Sequence, residues 1–535
     1  MLQDLNDDPT TADLVCDVAI VGAGPAGLTL VRQLMGTDLA LCLIESGGRD
    51  FEPAIQSLAE GESLGAAYYD LAEARLRFFG GTANIWGGRC ARFDDSDFLP
   101  REWVPRSGWP LSGETLAPHY AAAAGDLALS PAATDNAGWT DPIAGELGID
   151  ACAFVTRRWF FDDLHERFHV RRAGDILASP RVAVLLHATV THIQANHSAD
   201  HVEALTLATP GGRRRTLRAR YVVLACGGIE NARLLLAADD IEPQGIGNAH
   251  DQVGRCFMEH PHGRVGTLPP RAGFALWAAF QRHRLAEGSR VAPVLLPSPA
   301  LQREAGILNA ALTFKLQRDP AAGLSLRKRI YRGLKHRLPP NAANRRLWHT
   351  WRDLRKGFQR SLRKPVERLR LLGGMTRVNV MIRSEQAPDP ASRVMLSARR
   401  DSLGVRRAVL HWRRGALEKH TARVLVEHLS VTLERLGIGV VTPSAWLLES
   451  GTEWPVDLTV SNHPIAGYHH MGTTRMSDHP ADGVVDPNCR VHGYDNLFVA
   501  GSSVFPTASW ANPTLTILAV SRRLGVHLGR LARRG

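Results

Sequence analysis

The sequence predicts an α/β fold, α+β overall, in which a nucleotide-binding domain carries a second domain inserted into it. Residues 16–46 follow the order strand, glycine turn, helix and strand, which is the order of a βαβ nucleotide-binding unit. Residues 221–236 repeat the strand, turn and helix and are expected to return to the same sheet. Between 265 and 460 strand-like segments predominate, and the 535 residues exceed the size at which one hydrophobic core usually stops growing. Two domains are therefore expected.

The first unit has its glycines at the spacing G-x-G-x-x-G, which is typical of a dinucleotide site. Gly22 allows the tight turn, Gly24 lets the backbone approach a pyrophosphate, and Gly27 lets the helix pack closely on the sheet. The helix N-terminus would bind the phosphates. Glu45, about 20 residues further on, is placed to accept hydrogen bonds from a ribose. The unit predicts a Rossmann-like site, but it does not choose between FAD and NAD, and an ordinary glycine turn is the alternative.

A second glycine-rich stretch, residues 75–98, is too irregular for a helix or a strand. Gly81 and Gly87, with Asn84 between them, would let the backbone pass close to a flat ligand. Gly228, in the turn of the second strand–turn–helix pattern, is also expected at the cofactor. The alternative is a glycine-rich loop that holds no ligand.

The composition is that of a soluble globular protein, with 44% hydrophobic and 22% charged residues. No uncharged apolar run is long enough to cross a membrane. The segment 1–15 is acidic and has neither a basic nor an apolar leader region, so Sec-type secretion is not expected. These features predict a cytoplasmic protein, with peripheral contact at the inner membrane face as a further option.

The seven cysteines are scattered, and no two have the spacing of a zinc, haem or redox pair. Residues Glu259, His260 and His262 form a cluster that could suggest a metal. Two histidines and a glutamate without a third spaced ligand more often pack and form hydrogen bonds. No metal site is therefore expected.

The net charge of +11 is concentrated in one segment, residues 327–370. This basic insert contains 16 Lys and Arg against two acids, so its own charge is +14 and the rest of the chain sums to −3. Pro339 and Pro340 interrupt it, and the remainder predicts two amphipathic helices. Basic helices with an apolar face suit an anionic membrane surface. The alternative is a surface excursion whose apolar side packs on the protein, and no motif suggests nucleic acid.

The C-terminal segment, 461–535, contains the candidate catalytic residues. Two adjacent histidines, His469 and His470, precede a Gly-Thr pair, and a strand at 496–500, a turn and a helix at 514–524 follow. With these segments in place, the chain resembles the glucose-methanol-choline (GMC) oxidoreductase family, whose members bind FAD and oxidise alcohols. The resemblance covers almost the whole length and is greatest to pyranose oxidases and large subunits of sugar dehydrogenases. It rests on the motifs GAGPAGL, GGTANIWGG, GWPLS, ACGGIENARLLL, VGRCFMEHP, SEQAPDPASRVMLS, YHHMGTTRM, NLFVAGSSVFP and NPTLT.

The resemblance implies roles for individual residues. The family's catalytic histidine falls on His469, and its partner falls on Asn512, which would also contact the flavin. Together they would remove the hydroxyl proton while hydride passes to flavin N5. Gly501 and Ser502 are expected to approach the flavin. Pyranose oxidases link the flavin through a histidine, and the matching position here is Ile85, so noncovalent FAD is expected. A neutral base of ordinary pKa predicts that kcat/KM falls as pH drops through roughly 6 to 7.

The expected domains are an FAD-binding domain at 14–264, a substrate domain at 265–460 that includes the insert, and a C-terminal part of the FAD-binding domain at 461–535. The substrate domain is expected to contain an antiparallel sheet and helices. In it, residues 392–413 predict strand, turn and strand, and 420–436 predict a helix.

The expected function is oxidation of an alcohol group of a sugar, polyol or glycoside to a carbonyl, with dehydrogenase favoured over oxidase. The alternative is a membrane- or partner-docked dehydrogenase subunit that oxidises a non-sugar alcohol and passes electrons to quinone or another carrier. The sequence leaves open the substrate, the carbon oxidised, the acceptor (oxygen, quinone or protein), the oligomeric state and the role of the insert.

Overall fold

The computed structural model describes residues 1–7, 12–134, 148–149, 153–317, 326, 329–330, 333–334, 338–358, 363–460 and 463–534. Within these ranges the strands form three sheets. The mixed α/β architecture expected from the sequence is confirmed.

The first sheet contains the glycine motif. Strands with long apolar runs lie at its centre and are buried on both faces, as parallel strands covered by helices must be. Residues 221–224 pair in parallel with 18–21, so the second strand–turn–helix pattern returns to this sheet as predicted. Residues 497–499 pair in parallel with 222–224. In spatial order the strands are Leu2–Asp4, Val182–Leu186, Leu41–Ile44, Leu14–Val21, Arg214–Leu224, Val202–Ala208 and Thr189–Ala195, with Leu497–Val499 also on Arg214–Leu224.

Four longer helices accompany this sheet: Pro25–Leu34, Gly113–Asp126, Gly227–Ala237 and Thr514–Arg534. The last helix packs on the first two. The short helices and 3-10 turns of the described chain are Pro53–Gln56, Ser57–Ala59, Leu71–Ala74, Gly81–Ile85, Asp95–Phe98, Pro131–Ala133, Val170–Arg172, Gly174–Ala178, Pro299–Ala305, Ala445–Leu448 and Ser502–Val504.

The second sheet is antiparallel and has its own apolar core. Helices Pro270–Ala279 and Ala416–Arg435 pack against it, in agreement with the predicted sheet-plus-helices domain. Its strand Phe154–Phe161 comes earlier in the chain than residue 265, where the substrate domain is expected to begin. The domain limits of 14–264, 265–460 and 461–535 stay a prediction. In spatial order the strands are Thr442–Pro443, His262–Leu268, Arg377–Ser384, Ala310–Gln317, Arg290–Pro297, Phe154–Phe161 and Arg89–Cys90, with His283–Arg284 on Arg290–Pro297.

A third, small sheet joins distant parts of the chain. Strands Arg393–Arg400 and Arg406–Trp412 form the predicted strand, turn and strand. The second of them also pairs in parallel with Gly61–Gly65. The segment after 392 is thereby tied to the N-terminal part of the chain.

The basic insert contains helices Ala342–Phe358 and Arg363–Leu372, which begin after the two prolines. Most residues ahead of Pro339 lie outside the described residues, as does the junction between the helices. Arg345 is buried and forms ion pairs of 2.5 Å with Asp50 and with Glu166. One side of the insert therefore packs on the protein. Across the described ranges, no helix has the length and apolarity needed to span a membrane.

Candidate active site

A cavity of about 1350 Å³ runs from the glycine motif of the first sheet to the second sheet and to the insert helix Ala342–Phe358. It exceeds the roughly 300–1,000 Å³ of an ordinary small-molecule pocket. Ten of the twelve residues expected at the cofactor or in catalysis line it. They are Gly22, Gly24, Glu45, Gly81, Gly87, Gly228, His469, Gly501, Ser502 and Asn512.

The three motif glycines have different surroundings. Gly22 has φ +108°, and a Cβ there would lie 2.7 Å from the carbonyl oxygen of Ala225. A Cβ on Gly27 would lie 2.0 Å from the carbonyl oxygen of Gly22, so this glycine is needed for packing and does not line the cavity. Gly24 faces open space, with no heavy atom within 4 Å of its Cβ position. Backbone approach to a ligand is therefore unobstructed at Gly24.

Glu45 follows the strand Leu41–Ile44 and is buried at the cavity wall. Its carboxylate accepts hydrogen bonds from the N–H groups of Ala23 (3.0 Å) and Gly47 (2.9 Å). Burial raises its pKa, and the two N–H groups act in the opposite direction. Glu45 thus holds the turn of the glycine motif as well as lying where a ribose is expected, and its role at the ribose stays a prediction.

Asn84 is buried behind the cavity wall and does not line it. Its amide donates to the carbonyl oxygens of Phe79 (2.9 Å) and Gly81 (3.1 Å). The side chain therefore shapes the glycine-rich loop, while the neighbouring Ile85 and Gly87 line the cavity.

His469 lies at the centre of a hydrogen-bond chain. Its Nδ1 is 2.7 Å from Nδ1 of His260, and the Nε2 of His260 is 2.5 Å from the carbonyl oxygen of Ser509. A carbonyl only accepts, so the proton of His260 is on Nε2 and its Nδ1 must accept. His469 therefore carries its proton on Nδ1, and this network assigns it an unprotonated Nε2.

The other side of His469 confirms this assignment. Arg383 donates to Oδ1 of Asn512 (2.7 Å), which orients the Asn512 amide so that its Nδ2 faces Nε2 of His469 (3.1 Å). An amide N–H donates, so Nε2 of His469 accepts. The predicted pair is assembled, and Nε2 of His469, whose lone pair accepts from the Asn512 amide in the structure, lies at the cavity wall that both residues line.

Glu259 holds the backbone that carries His469. Its buried carboxylate accepts from the N–H groups of Gly467 (3.2 Å) and His469 (2.9 Å) and from that of His260 (3.0 Å). Tyr468, between the first two, has φ +59°, which is uncommon for a residue with a side chain. The carboxylate therefore stabilises a strained turn that aims the histidine.

Burial sets the charge of both histidines. The pKa of His469 lies well below its ordinary value because of burial, with repulsion from His260 and Arg383 adding to it. Burial lowers the pKa of His260 to about 3. Both rings are therefore neutral near pH 7. The protonation of His469, which the sequence places between roughly pH 6 and 7, is expected at lower pH.

The neighbouring His470 also lines the cavity. Its Nε2 is 2.9 Å from the hydroxyl of Tyr68, which donates to Glu259. A Cβ on Gly228 would lie 2.6 Å from the carbonyl oxygen of His470, so close chain packing also requires this glycine. His470 is thus a packed histidine at the cavity wall.

Two functional contributions are not evident from the sequence. Glu259 and His260 stand out there only as a cluster that packs and forms hydrogen bonds, whereas the structure places them behind the predicted pair His469 and Asn512. Arg383 carries no motif, and its one signal is a charge near the end of an apolar strand. Across the described residues, no three His, Cys, Asp or Glu side chains are grouped as a metal site.

Comparison with known proteins identifies the family. Residues 388–521 match the family model described as GMC oxidoreductase. The C-terminal part of the chain therefore matches the GMC oxidoreductase family. The resemblance predicted from the motifs is confirmed, and FAD is supported as the cofactor.

Relatives of known function agree. The chain is 24% identical to the fructose dehydrogenase large subunit of Gluconobacter japonicus over 64% of this chain and 53% of that protein. It is 23% identical to 6'''-hydroxyparomomycin C oxidase of Streptomyces lividus over 97% of this chain and 93% of that protein. A segment covering 10% of each chain is 41% identical to pyranose 2-oxidase of Tricholoma matsutake. At the coarse level, an enzyme acting on CH–OH donors is supported.

Solved structures share the fold. Pyridoxine 4-oxidase from Mesorbium loti superposes with a TM-score of 0.55 at 17% identity, covering 96% of this chain and 99% of that one. A variant of formate oxidase from Aspergillus oryzae RIB40, studied for its FAD modification, gives 0.55 at 15% identity and covers 98% and 100% of the two chains.

Proposed function

We propose that this chain oxidises an alcohol group of a sugar, polyol or glycoside to a carbonyl, with His469 as the base and FAD as the hydride acceptor. The observation that carries the proposal is the unprotonated Nε2 of His469, held at the cavity wall beside the amide of Asn512. The relatives named for fructose, pyranose and aminoglycoside substrates favour a carbohydrate-like donor.

The residues present fit a dinucleotide. Gly24 and Gly87 leave open space on the cavity side, and the helix Pro25–Leu34 begins there with free N–H groups. Glu45 lies at the end of the neighbouring strand. Ile85 lines the cavity and offers no atom for a covalent link, which supports noncovalent FAD. The chemistry that bound FAD supplies is acceptance of a hydride from the carbinol carbon.

The chain's own residues handle the proton. Nε2 of His469 accepts the hydroxyl proton as the carbonyl forms, and Nδ2 of Asn512 donates to the substrate oxygen. Both groups have fixed orientations before substrate arrives, because His260 and Arg383 hold them from behind. Positioning of this kind lowers the barrier without further reorganisation at the moment of reaction.

The test is anaerobic mixing of the purified holoprotein with sugars, glycosides and simple alcohols while flavin absorbance is followed. Bleaching by a carbohydrate-like alcohol supports the proposal, and bleaching by no alcohol contradicts it. His469→Ala should retain FAD and lose bleaching by about 10²-fold or more. His201→Ala, at an exposed histidine that is paired with Asp495, is the matched control and should behave as wild type.

The same mixture separates the two classes of acceptor. On admission of air, rapid return of the oxidised spectrum indicates an oxidase, and slow return indicates a dehydrogenase. We expect slow return, with faster reoxidation by a quinone or by a protein carrier.

A second candidate, a membrane-docked dehydrogenase, is favoured by the outer side of the insert. Its helices carry apolar side chains that are between 41% and 69% exposed, surrounded by a segment of charge +14. Such a basic surface with apolar anchors suits an anionic bilayer. This docking face consists of Leu347, Leu354, Val366, Leu369 and Leu372.

The opposite side of the same helix reaches the cavity. Trp348, Arg352 and Asp353 line it, whereas Leu347 and Leu354 lie on the outer side. A membrane-docked chain would therefore place one wall of the cavity next to the lipid, where a quinone could accept electrons. This arrangement supports the second candidate.

Vesicle flotation of the holoprotein tests the second candidate. Vesicles containing phosphatidylglycerol should bind the chain, and phosphatidylcholine vesicles should bind it weakly. The double variant Leu369→Glu, Leu372→Glu should lower partitioning by about tenfold or more. Val431→Glu, at an exposed apolar residue of the helix Ala416–Arg435, is the control. Equal binding by the double variant and the control would remove this candidate.

A further inference from the structure

The wall of the catalytic cavity is positively charged. Among the residues that the structure describes, nine Arg and Lys side chains line it against five Asp and Glu. The five carboxylates already have partners within the protein. These partners are the N–H groups of Ala23 and Gly47 for Glu45, Arg167 for Asp162, Arg290 for Asp163, Arg77 and Arg233 for Glu230, and His165 for Asp353. The cavity therefore presents a net positive field to a ligand.

Two of these cations, Arg89 and Arg383, contact the same tryptophan ring, and Arg383 is also bonded to the proposed site. Their guanidinium carbons are 5.2 Å and 5.3 Å from the ring centre of the same residue, Trp159. Arg383 is one hydrogen bond from Asn512, which in turn contacts Nε2 of His469. This arginine pair comes from two different strands of the second sheet, Arg89–Cys90 and Arg377–Ser384.

The pair has an energetic cost in the protein alone. Burial and repulsion from Arg89 lower the pKa of Arg383 to about 9. The carboxylate of Glu259 acts on the pKa of Arg383 in the opposite direction. A bound anion would be attracted to both guanidinium groups. Guanidinium groups also offer paired N–H donors that match the two oxygens of a carboxylate or the oxygens of a phosphate.

We propose that the arginine pair is an anion subsite, so that the preferred substrate is a sugar or polyol carrying a carboxylate or a phosphate ester near the hydroxyl that is oxidised. The anionic group binds at Arg89 and Arg383 and directs the carbinol toward His469. A cationic amino sugar is disfavoured at the same subsite. The inference rests on the proposed function, because it names the substrate class of that site.

The first test measures binding without turnover. Acetate, sulfate and inorganic phosphate are titrated into the oxidised holoprotein, and the perturbation of the flavin spectrum gives a dissociation constant. We expect saturable binding of at least one anion, weakened about 10- to 100-fold in Arg89→Gln. Arg181→Gln changes an exposed arginine that is paired with Asp38 and does not line the cavity, and this control should bind as wild type does. Absence of saturable binding in the wild-type protein would overturn the proposal whether or not any alcohol is oxidised.

The second test compares substrates by anaerobic bleaching. Gluconate, glucuronate and glucose 6-phosphate are matched with glucose and with glucosamine. The proposal expects kcat/KM for at least one anionic sugar to exceed that for glucose, and glucosamine to be the poorest. The ratio of anionic to neutral kcat/KM should fall about 10- to 100-fold in Arg89→Gln and stay constant in Arg181→Gln. The same ratio in Arg89→Gln and in wild type would show that Arg89 does not select anionic substrates and would overturn the assignment.

Discussion

His260 lies behind the proposed base, His469, and a substitution there tests whether it fixes the tautomer of His469. His260→Leu removes the acceptor that holds the proton of His469 on Nδ1. That N–H would then be buried without a partner, at a cost of about 1–3 kcal/mol. The imidazole escapes this cost by moving its proton to Nε2, where it can no longer accept one from the substrate. At about 1.4 kcal/mol per factor of ten, kcat/KM should fall about 5- to 150-fold.

The assay is kcat/KM by anaerobic bleaching, with FAD content and far-ultraviolet circular dichroism measured on the same samples. His260→Asn is the rescue variant, because the Oδ1 of asparagine can occupy the place of the histidine Nδ1 and accept from His469. It should recover most of the activity even though it loses the bond to Ser509. If His260→Leu retains FAD and turns over within about twofold of wild type, the assigned tautomer is wrong.

Three further predictions follow from the site and its supports. Because burial lowers the pKa of His469, kcat/KM should stay level as pH falls from 7 to 6 and drop only at lower pH, which a pH series of the bleaching rate checks. Gly27→Ala should lower the free energy of unfolding, measured by urea denaturation, by about 1–3 kcal/mol, because the new Cβ meets the carbonyl of Gly22. Gly24→Ala should alter the free energy of unfolding by less than about 0.5 kcal/mol. It should instead weaken FAD binding, which an FAD titration would show. Burial and two neighbouring carboxylates raise the pKa of Asp97 to about 8. Between about pH 4 and 8 the folded state therefore binds one proton more than the unfolded state, and the free energy of unfolding should decline as pH rises through that window. The decline should be less steep in Asp97→Asn.

Local patterns in the sequence predict much of the fold. The apolar run at 221–225 gives the strand that pairs beside Leu14–Val21, because a parallel strand buried on both faces has little room for polar residues. The strands after residue 392 also follow their alternation. The pairing of Arg406–Trp412 with Gly61–Gly65 could not be predicted, since it joins segments that lie far apart in the chain and have no shared pattern.

The proposed catalytic pair can be read from its motifs, whereas the residues that orient it cannot. His469 and Asn512 are recognised by their neighbours in sequence. Arg383 and His260 act through the orientation of a ring and an amide, which depends on side chains that meet only in the folded chain. The sequence likewise gives Gly27 a role at the cofactor helix without showing that its hydrogen faces the carbonyl of Gly22 at contact distance.

The strand Leu497–Val499 has a consequence for biosynthesis. It pairs with Val222–Leu224 of the first sheet, and the chain then leads through the short turn Ser502–Val504 to Asn512. A nascent chain that extends only as far as Arg490 has therefore exposed an apolar strand edge that has no partner yet, which is a hazard for association between nascent chains. The half of the site that orients the substrate oxygen is also missing at that stage. Cofactor loading and closure of the sheet are thus late events, and chaperones that bind exposed strand edges should associate with this protein until translation is nearly complete.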